Sequence, residues 1–211
     1  MFKISPEMKQ AFKGYNYSGE LIMLCLFMKC RYSLSYREVE EIGRLRGLDA
    51  DHTTILRWIH KFMHLLEDIF RKKKQRNPKD KWHLDEMEIK INGKKYILCI
   101  AVDSDEFELD IFLQLRRNKK SAIRFLSKLL GSYPTPRVIV TDKLKSYAKP
   151  IKNMCPKTNH RTHKRLNNRA ENSHQLTRRK ERCLIKFKSP KWVQQTLSLM
   201  GKVRNIFAVD A

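Results

Sequence analysis

The sequence contains no long hydrophobic run and no recognisable leader. Its longest apolar stretch, Leu21 to Met28, is far shorter than the roughly 20 residues that a membrane-spanning helix needs. The first residues, Met-Phe-Lys-Ile-Ser-Pro-Glu, are not followed by the apolar segment and small-residue cleavage site of a signal peptide. We therefore expect a cytoplasmic protein with no membrane partner.

Acidic residues are scarce. There are 22 Asp plus Glu against 45 Lys plus Arg, which gives a formal net charge of +23. Such a charge attracts nucleic acid through counterion release, or an anionic membrane surface. The 41% hydrophobic share argues against disorder, and 211 residues can hold one sizeable core with a small accessory domain.

Cysteine is present but never in a Cys-x-x-Cys pair. Five scattered cysteines are typical of reduced thiols in a cytosol. A zinc site would use Cys155, His160, His163 and Cys183. Their spacing matches no zinc-finger pattern, and the alternative is a set of ordinary thiols and histidines.

Residues 1–70 have the pattern of a small all-helical domain. Ser35 and Glu38 form a capping box, Gly47 suits the positive φ of a helix end, and Asp51 can cap a second helix over 52–62. Two helices joined by a glycine-containing turn suggest a helix-turn-helix, whose second helix would meet DNA. The candidate contacts at its exposed start are His52, Thr53, Thr54 and Arg57. The alternative is a helical bundle that does not touch DNA.

Residues 71–81 indicate a basic linker, with seven Lys or Arg, one acid and Pro78. From residue 82 to 211 the pattern changes to an α/β arrangement. Residues 82–91 alternate in polarity, and Asn92-Gly93 then predicts a type I′ hairpin into a second strand. A third strand over 109–115, a helix over 121–130 and a short strand over 137–140 follow, with further helices over 168–182 and 190–207.

Three carboxylates stand out against the basic background. Asp85 lies within the first predicted strand, Asp142 lies just beyond the fourth, and Glu171 lies on a predicted helix. A carboxylate on an apolar strand face is costly unless it is paired or bound to a cation. Because ligands gather beyond the carboxyl ends of strands in α/β sheets, the three are expected to bind one or two divalent metal ions. Two such ions can bracket the attacking and leaving oxygens of a phosphodiester.

Nearly the whole chain resembles the DDE transposases of bacterial insertion sequences, and most closely the replicative group numbered family six. The matching motifs in the second part are Trp82-His83-Leu84-Asp85-Glu86, Ala101-Val102-Asp103-Ser104, Leu115-Arg116-Arg117-Asn118, Thr141-Asp142-Lys143 and Asn168-Arg169-Ala170-Glu171-Asn172. Those in the first part are Phe12-Lys13-Gly14, Ser35-Tyr36-Arg37-Glu38 and the segment from Asp51 to Trp58. It is their order and spacing together that is specific.

The resemblance implies an RNase H-like catalytic domain, a mixed sheet flanked by helices, after a small all-α helix-turn-helix domain. It also implies recognition of terminal inverted repeats and dependence on Mg²⁺, for which Mn²⁺ is expected to substitute. Asp85, Asp142 and Glu171 would be the catalytic, metal-binding triad. Arg178, two helical turns after Glu171, would contact DNA near the scissile phosphate. Since two element ends are joined in one complex, a homodimer or larger assembly is expected on DNA. A member of this bacterial family is expected in the cytoplasm of a prokaryotic cell, associated with the nucleoid.

Further basic residues have both a functional and an ordinary interpretation. Lys143 adjoins Asp142 and would neutralise phosphate charge, or is simply a surface lysine. Arg178, Arg179 and Lys180 would supply sequence-independent phosphate affinity, together with the rest of residues 71–81 and 157–191. Two other functions remain open from the sequence: a structure-specific nuclease of the same fold, which cuts without joining, and a non-catalytic DNA-binding regulator from a decayed element.

Overall fold

The computed structural model describes residues 6–32, 34–72, 77–142, 145–162 and 189–207. Within these ranges the chain forms seven helices and five strands. They are α1 (Pro6–Ala11), α2 (Gly19–Tyr32), α3 (Tyr36–Arg44), α4 (His52–Lys72), β1 (Lys81–Ile91), β2 (Lys94–Asp103), β3 (Glu108–Gln114), α5 (Lys119–Ser132), β4 (Val138–Thr141), α6 (Lys145–Met154), β5 (Asn159–Thr162) and α7 (Pro190–Phe207). None of these helices combines the length and the apolar character needed to cross a membrane.

The strands form one mixed sheet in the order β3-β2-β1-β4-β5. Strands β1, β2 and β3 pair antiparallel, whereas β4 pairs parallel with both β1 and β5. The turn between β1 and β2 has φ of 48° at Asn92 and 77° at Gly93, as a two-residue type I′ hairpin requires. With helices packed on both faces, this topology confirms the predicted RNase H-like fold.

Each face of the sheet has its own core. On one face, Trp82 and Leu84 of β1 pack with α5 and α6. On the other face, Met87 and Ile89 belong to a larger apolar cluster that includes α7 and the helices α2 to α4. The N-terminal helices therefore reach the sheet through α7, which contacts α2, α4 and β3. The division at residues 70 and 82 into separate domains stays a prediction.

The ends of the N-terminal helices agree with their predicted caps. The side chain of Ser35 accepts the backbone N–H of Glu38, whose carboxylate accepts the N–H of Ser35. After α3, Gly47 has φ of +74°, and the N–H of Leu48 donates to the carbonyl of Gly43, as in a Schellman motif. Asp51 caps α4 as expected.

Helix α4 extends ten residues beyond the predicted end at residue 62. Leu66 continues the apolar stripe of Ile55, Ile59 and Phe62 and is fully buried, so packing extends the helix beyond residue 62. Its backbone remains helical to Lys72, inside the predicted linker. The elements α1, α6 and β5 were not predicted. Strand β5 reads Asn-His-Arg-Thr and has no apolar alternation; its backbone pairing with β4 makes it a strand. The helix predicted over 168–182 lies outside the described residues.

Strand β3 lies at the edge of the sheet, and two amide side chains of α7 cover its outer backbone groups. Gln194 accepts the N–H of Leu113 and donates to the carbonyl of Ile111, both at 2.7 Å. Asn205, three helical turns further along, accepts the N–H of Glu108 at 3.0 Å and donates to the carbonyl of Glu108 at 2.7 Å. Helix α7 therefore closes an edge that could otherwise pair with another chain.

We expect Gln194→Ala to lower the free energy of unfolding by about 1–3 kcal/mol, because it leaves a strand N–H and a carbonyl without their partners. Urea unfolding of the whole protein measures this loss. Gln195→Ala is the matched control, since Gln195 is exposed on the same helix. Equal stability of the two variants would show that α7 does not protect the edge of the sheet through this amide.

Candidate active site

Asp85 lies in the middle of β1 and is 9% exposed. Its main-chain partner across the antiparallel ladder is Ile100. Side chains alternate between the two faces of a strand, so Asp85 lies on the same face as Met87 and Ile89, as predicted. One of its carboxylate oxygens accepts the N–H of Glu86 at 2.8 Å, which limits the rotation of the carboxylate.

Asp142 follows β4 directly and is half-buried. Strand β4 runs parallel to β1, and Leu84 is paired with Thr141, so Asp142 is level with Asp85. Equivalent positions on paired parallel strands share a face and lie about 4.8 Å apart. Two aspartates that are 57 residues apart in the chain are thus brought to neighbouring backbone positions inside the sheet, where β4 ends beside the middle of β1. A cation there would offset the repulsion between their carboxylates.

The third predicted carboxylate, Glu171, lies outside the described residues, as do Lys143, Arg178, Arg179 and Lys180. Within the described ranges no three Asp, Glu, His or Cys side chains form a cluster able to hold a metal ion. The pair Asp85 and Asp142 is therefore the part of the proposed triad that the structure brings together, and the complete triad stays a prediction.

A side-chain hydrogen bond to a residue of β5 fixes the end of β4. The hydroxyl of Thr141, which is fully buried, hydrogen-bonds to Nε2 of His160 at 2.9 Å. Burial lowers the pKa of His160, which favours a neutral ring at this contact. Two of the four candidate zinc ligands lie in the described residues. His160 is hydrogen-bonded to Thr141, and Cys155 is a buried thiol whose pKa is raised by burial. The two remaining members, His163 and Cys183, lie outside the described residues.

An ion pair between a buried glutamate and a half-exposed arginine lies behind the candidate site, on the opposite face of β1. The Glu86 side chain is 1% exposed, and its carboxylate is 2.7 Å from Nε of Arg117 in the loop between β3 and α5. Burial raises the pKa of Glu86, and the charge of Arg117 opposes that effect. Burial also raises the pKa of the neighbouring Cys99 to about 12, with Glu86 adding to the shift. Cys99 is therefore a neutral thiol.

This pair was not predicted. The alternation of β1 places Glu86 opposite Asp85, and Arg117 lies in one of the motifs of the family, but nothing local connects residues 31 positions apart. The pair joins β1, at the residue after Asp85, to the loop that begins α5. It therefore restrains the backbone that carries Asp85.

Asp103 serves the turn between β2 and β3. It is fully buried, and its carboxylate accepts the N–H groups of Asp105 and Phe107 at 2.8 and 3.0 Å. It also accepts the N–H of Lys79 at 2.9 Å. Since Asp103 is paired with Trp82 at the start of β1, it lies at the far end of the sheet from Asp142 and closes the turn there.

The four candidate DNA contacts on α4 differ in accessibility. Thr53 and Arg57 are exposed, one turn apart. His52 is tied to α3, because its Nδ1 and its backbone N–H both lie 3.0 Å from one oxygen of Glu40. The N–H of Thr54 and the hydroxyl of Thr53 donate to Asp51 and lower its pKa to about 2. The ionised Asp51 therefore caps the helix, and Arg57 is the candidate least engaged in structure.

A mixed sheet with neighbouring carboxylates on β1 and after β4 defines the RNase H-like class of protein. Residues 79–209 match the family model described as a DDE domain, of the IS240 transposase type. The chain belongs to the DDE transposases of bacterial insertion sequences, in the group numbered family six.

Individual relatives support this assignment. The chain is 36% identical over 168 residues to the transposase for the insertion sequence-like element IS431mec of Staphylococcus aureus strain Mu50. The match covers 77% of this chain and 75% of that protein. The same figures hold for the Staphylococcus aureus transposase of insertion sequence element IS257 in transposon Tn4003.

Solved structures with a similar arrangement include the HTLV-2 integrase catalytic core domain in complex with magnesium. The TM-score is 0.46 and the identity 16%, over 59% of this chain and 86% of that one. A catalytic core domain of BIV integrase has a TM-score of 0.45 at 17% identity, over 58% of this chain and 80% of that one.

Proposed function

We propose that this protein is a transposase that binds the terminal inverted repeats of its element and catalyses metal-dependent DNA cleavage and strand transfer. The observation that supports the proposal is the parallel pairing of β1 with β4, by which Asp142, directly after β4, is level with Asp85. Membership of the transposase family supports it, as does a net charge of +23, which suits a polyanionic substrate.

The donor set fits magnesium. Carboxylate oxygens are the ligands that Mg²⁺ takes, and Mg²⁺ completes its shell with water and phosphate oxygens. Asp85 and Asp142 would hold the ion, with Glu171 as the third ligand; Mn²⁺ accepts the same oxygen donors. When bound, the metal would supply Lewis-acid activation and offset charge on the phosphate.

The residues of the chain have separate tasks in this mechanism. Asp85 is held in place by the N–H of Glu86, and Asp142 is held by the short strand that Thr141 and His160 anchor.

In the first step, water attacks the phosphodiester at an element end, and the bond to the 3′ oxygen breaks to leave a 3′ hydroxyl. In the second step, that hydroxyl attacks a target phosphodiester in line, so that one phosphodiester is exchanged for another.

A strand-transfer assay tests this proposal. The substrate is a labelled duplex carrying the inverted repeat that flanks the coding region, with a supercoiled plasmid as target. With Mg²⁺ or Mn²⁺ we expect cleaved ends and end-to-plasmid products, and with EDTA neither. Cleavage without joined products would instead favour the nuclease. Binding without either product, unchanged by substitution of Asp85 or Asp142, would favour the regulator.

We expect Arg57→Gln to reduce the preference for element ends over random DNA by about 1–3 kcal/mol, if Arg57 contacts a base edge. Arg37→Gln, at an exposed position of α3, is the matched control and should leave that preference unchanged. Charge removal at Arg178, Arg179 or Lys180 should weaken binding to both DNAs alike and flatten the salt dependence by about one unit per contact. Mobility shifts at several salt concentrations distinguish the patterns. Equal weakening of all DNA by Arg57→Gln would contradict base recognition by α4.

A further inference from the structure

A groove of about 680 Å³ lies where the end of β3 meets the beginnings of α5 and α7. It is called the basic groove here, because its charged lining residues are Arg116, Lys120, Arg124 and Lys191. None of the described residues that line it is acidic. Its lining also includes the half-buried rings of Tyr96 and Phe112.

A smaller cavity of about 250 Å³ on the same side of β3 has a different charge pattern. Its lining includes Glu108 and Asp110 beside two lysines. There Lys128 forms an ion pair with Asp110 at 2.7 Å. Among the described residues, positive charge without accompanying carboxylates is therefore a property of the basic groove and not of the whole edge of the sheet.

The nature of the lining decides between possible occupants. A peptide strand could join β3 only through the outer backbone groups of the strand, and Gln194 already occupies those of Ile111 and Leu113. Four cations with no acid among the lining residues are instead complementary to a polyanion. The exposed positions of Arg116, Lys120, Arg124 and Lys191 leave their charged ends accessible to phosphate.

The basic groove lies near the candidate active site. Strand β3 runs in the same direction as β1, and the ladder pairs Gln114 with Ile97 and Ile97 with Glu88. Gln114 is thus two strands away from β1 and three residues further along than Asp85. At about 4.8 Å per strand and 3.3 Å per residue, the two backbones are roughly 14 Å apart. This is comparable to the major-groove width of about 12 Å that separates the two phosphate backbones of a duplex.

We propose that the basic groove binds the sugar-phosphate backbone of DNA outside the reacting nucleotides, while the DNA strand that reacts lies at Asp85 and Asp142. This inference rests on the proposed function for the identity of the ligand and adds a second contact surface to it. The groove supplies affinity and orients the duplex without reading its sequence, since phosphate contacts carry no base information.

Binding of a mixed-sequence duplex, measured without divalent metal at several salt concentrations, tests the proposal. The double variant Lys120→Gln/Arg124→Gln should reduce the slope of log affinity against log salt by about 2 units and weaken binding by roughly fiftyfold at 0.1 M salt. The control is Lys128→Gln/Arg137→Gln, which removes the same charge elsewhere. These two residues form ion pairs with Asp110 and Asp80. An equal loss in both double variants would overturn the proposal.

Crosslinking identifies the occupant directly. Leu115 lines the groove and is 67% exposed, so a benzophenone side chain placed there should crosslink to DNA. The same group at Ile123, which is 38% exposed on α5 and outside the lining of the groove, should crosslink less. A protein-to-protein adduct from position 115 in the presence of DNA would overturn the proposal, because it would identify the groove as a contact between copies of the chain.

These measurements are independent of catalysis. A protein that bound DNA through the basic groove but failed the strand-transfer assay would contradict the proposed function alone. A protein that joined strands normally, with an unchanged salt slope in Lys120→Gln/Arg124→Gln, would contradict the groove alone.

Discussion

Asp142→Asn and Asp85→Asn are each expected to abolish DNA cleavage and joining, with a loss of about a thousandfold or more. Either change removes half of the negative charge that the two side chains place at the end of β4. The charge stabilisation that a bound metal gives to a phosphoryl transition state is worth several kcal/mol, and about 4 kcal/mol corresponds to a thousandfold in rate. Rates of cleavage and of joining should fall together in the strand-transfer assay, because one site is proposed for both steps.

Two controls make this result specific. Glu88→Gln changes an exposed carboxylate on the same strand, paired with Lys95 at 3.0 Å, and should retain activity. DNA binding without metal should be unaffected by Asp142→Asn or slightly stronger, since the change removes negative charge. Near-normal cleavage by either aspartate variant would mean that these residues do not carry the reaction.

Arg117→Met is expected to lower the free energy of unfolding by about 1–3 kcal/mol near neutral pH, because it leaves the buried carboxylate of Glu86 without its charged partner, which is itself half-exposed. The loss should depend on pH. Without the charge of Arg117, burial is opposed only by the hydroxyl of Tyr147 and the thiol of Cys99, so the pKa of Glu86 rises further above its unfolded value of about 4.3. A group whose pKa is raised in the folded state stabilises the fold below its unfolded pKa, and this contribution is lost as the pH rises through the folded pKa. The deficit should therefore be small near pH 4.5 and largest above pH 7.

Urea unfolding of the wild type and the variant at both pH values measures this dependence. The double variant Glu86→Gln/Arg117→Met has no carboxylate at the site and should lose the extra pH dependence. Arg116→Met, at the exposed neighbouring position, should have the stability of the wild type at every pH. A deficit in Arg117→Met that did not change with pH would show that Arg117 acts through packing and not through its charge.

The sequence was most informative where structure depends on neighbouring residues. The capping box at Ser35, the cap at Asp51 and the hairpin at Asn92-Gly93 each arise from a few consecutive residues, and all three were predicted correctly. Strands β1 to β4 and helices α5 and α7 were also predicted to within a few residues, because side-chain periodicity reflects which face is buried. Strand β5 carries no such pattern, since its place in the sheet depends on backbone pairing with β4.

The composition established the basic character of the protein. The order of its motifs identified the family and the three candidate carboxylates. The tertiary structure alone decided that Asp85 and Asp142 are neighbours, because their proximity depends on the parallel pairing of β1 with β4 across 57 residues. It likewise decided the pairing of Glu86 with Arg117, the cover that α7 gives to β3, and the basic groove between three elements. Local hydrogen bonding and periodicity are properties of short segments. These features instead require distant segments to be packed together, and the packing of the whole chain determines which of them meet.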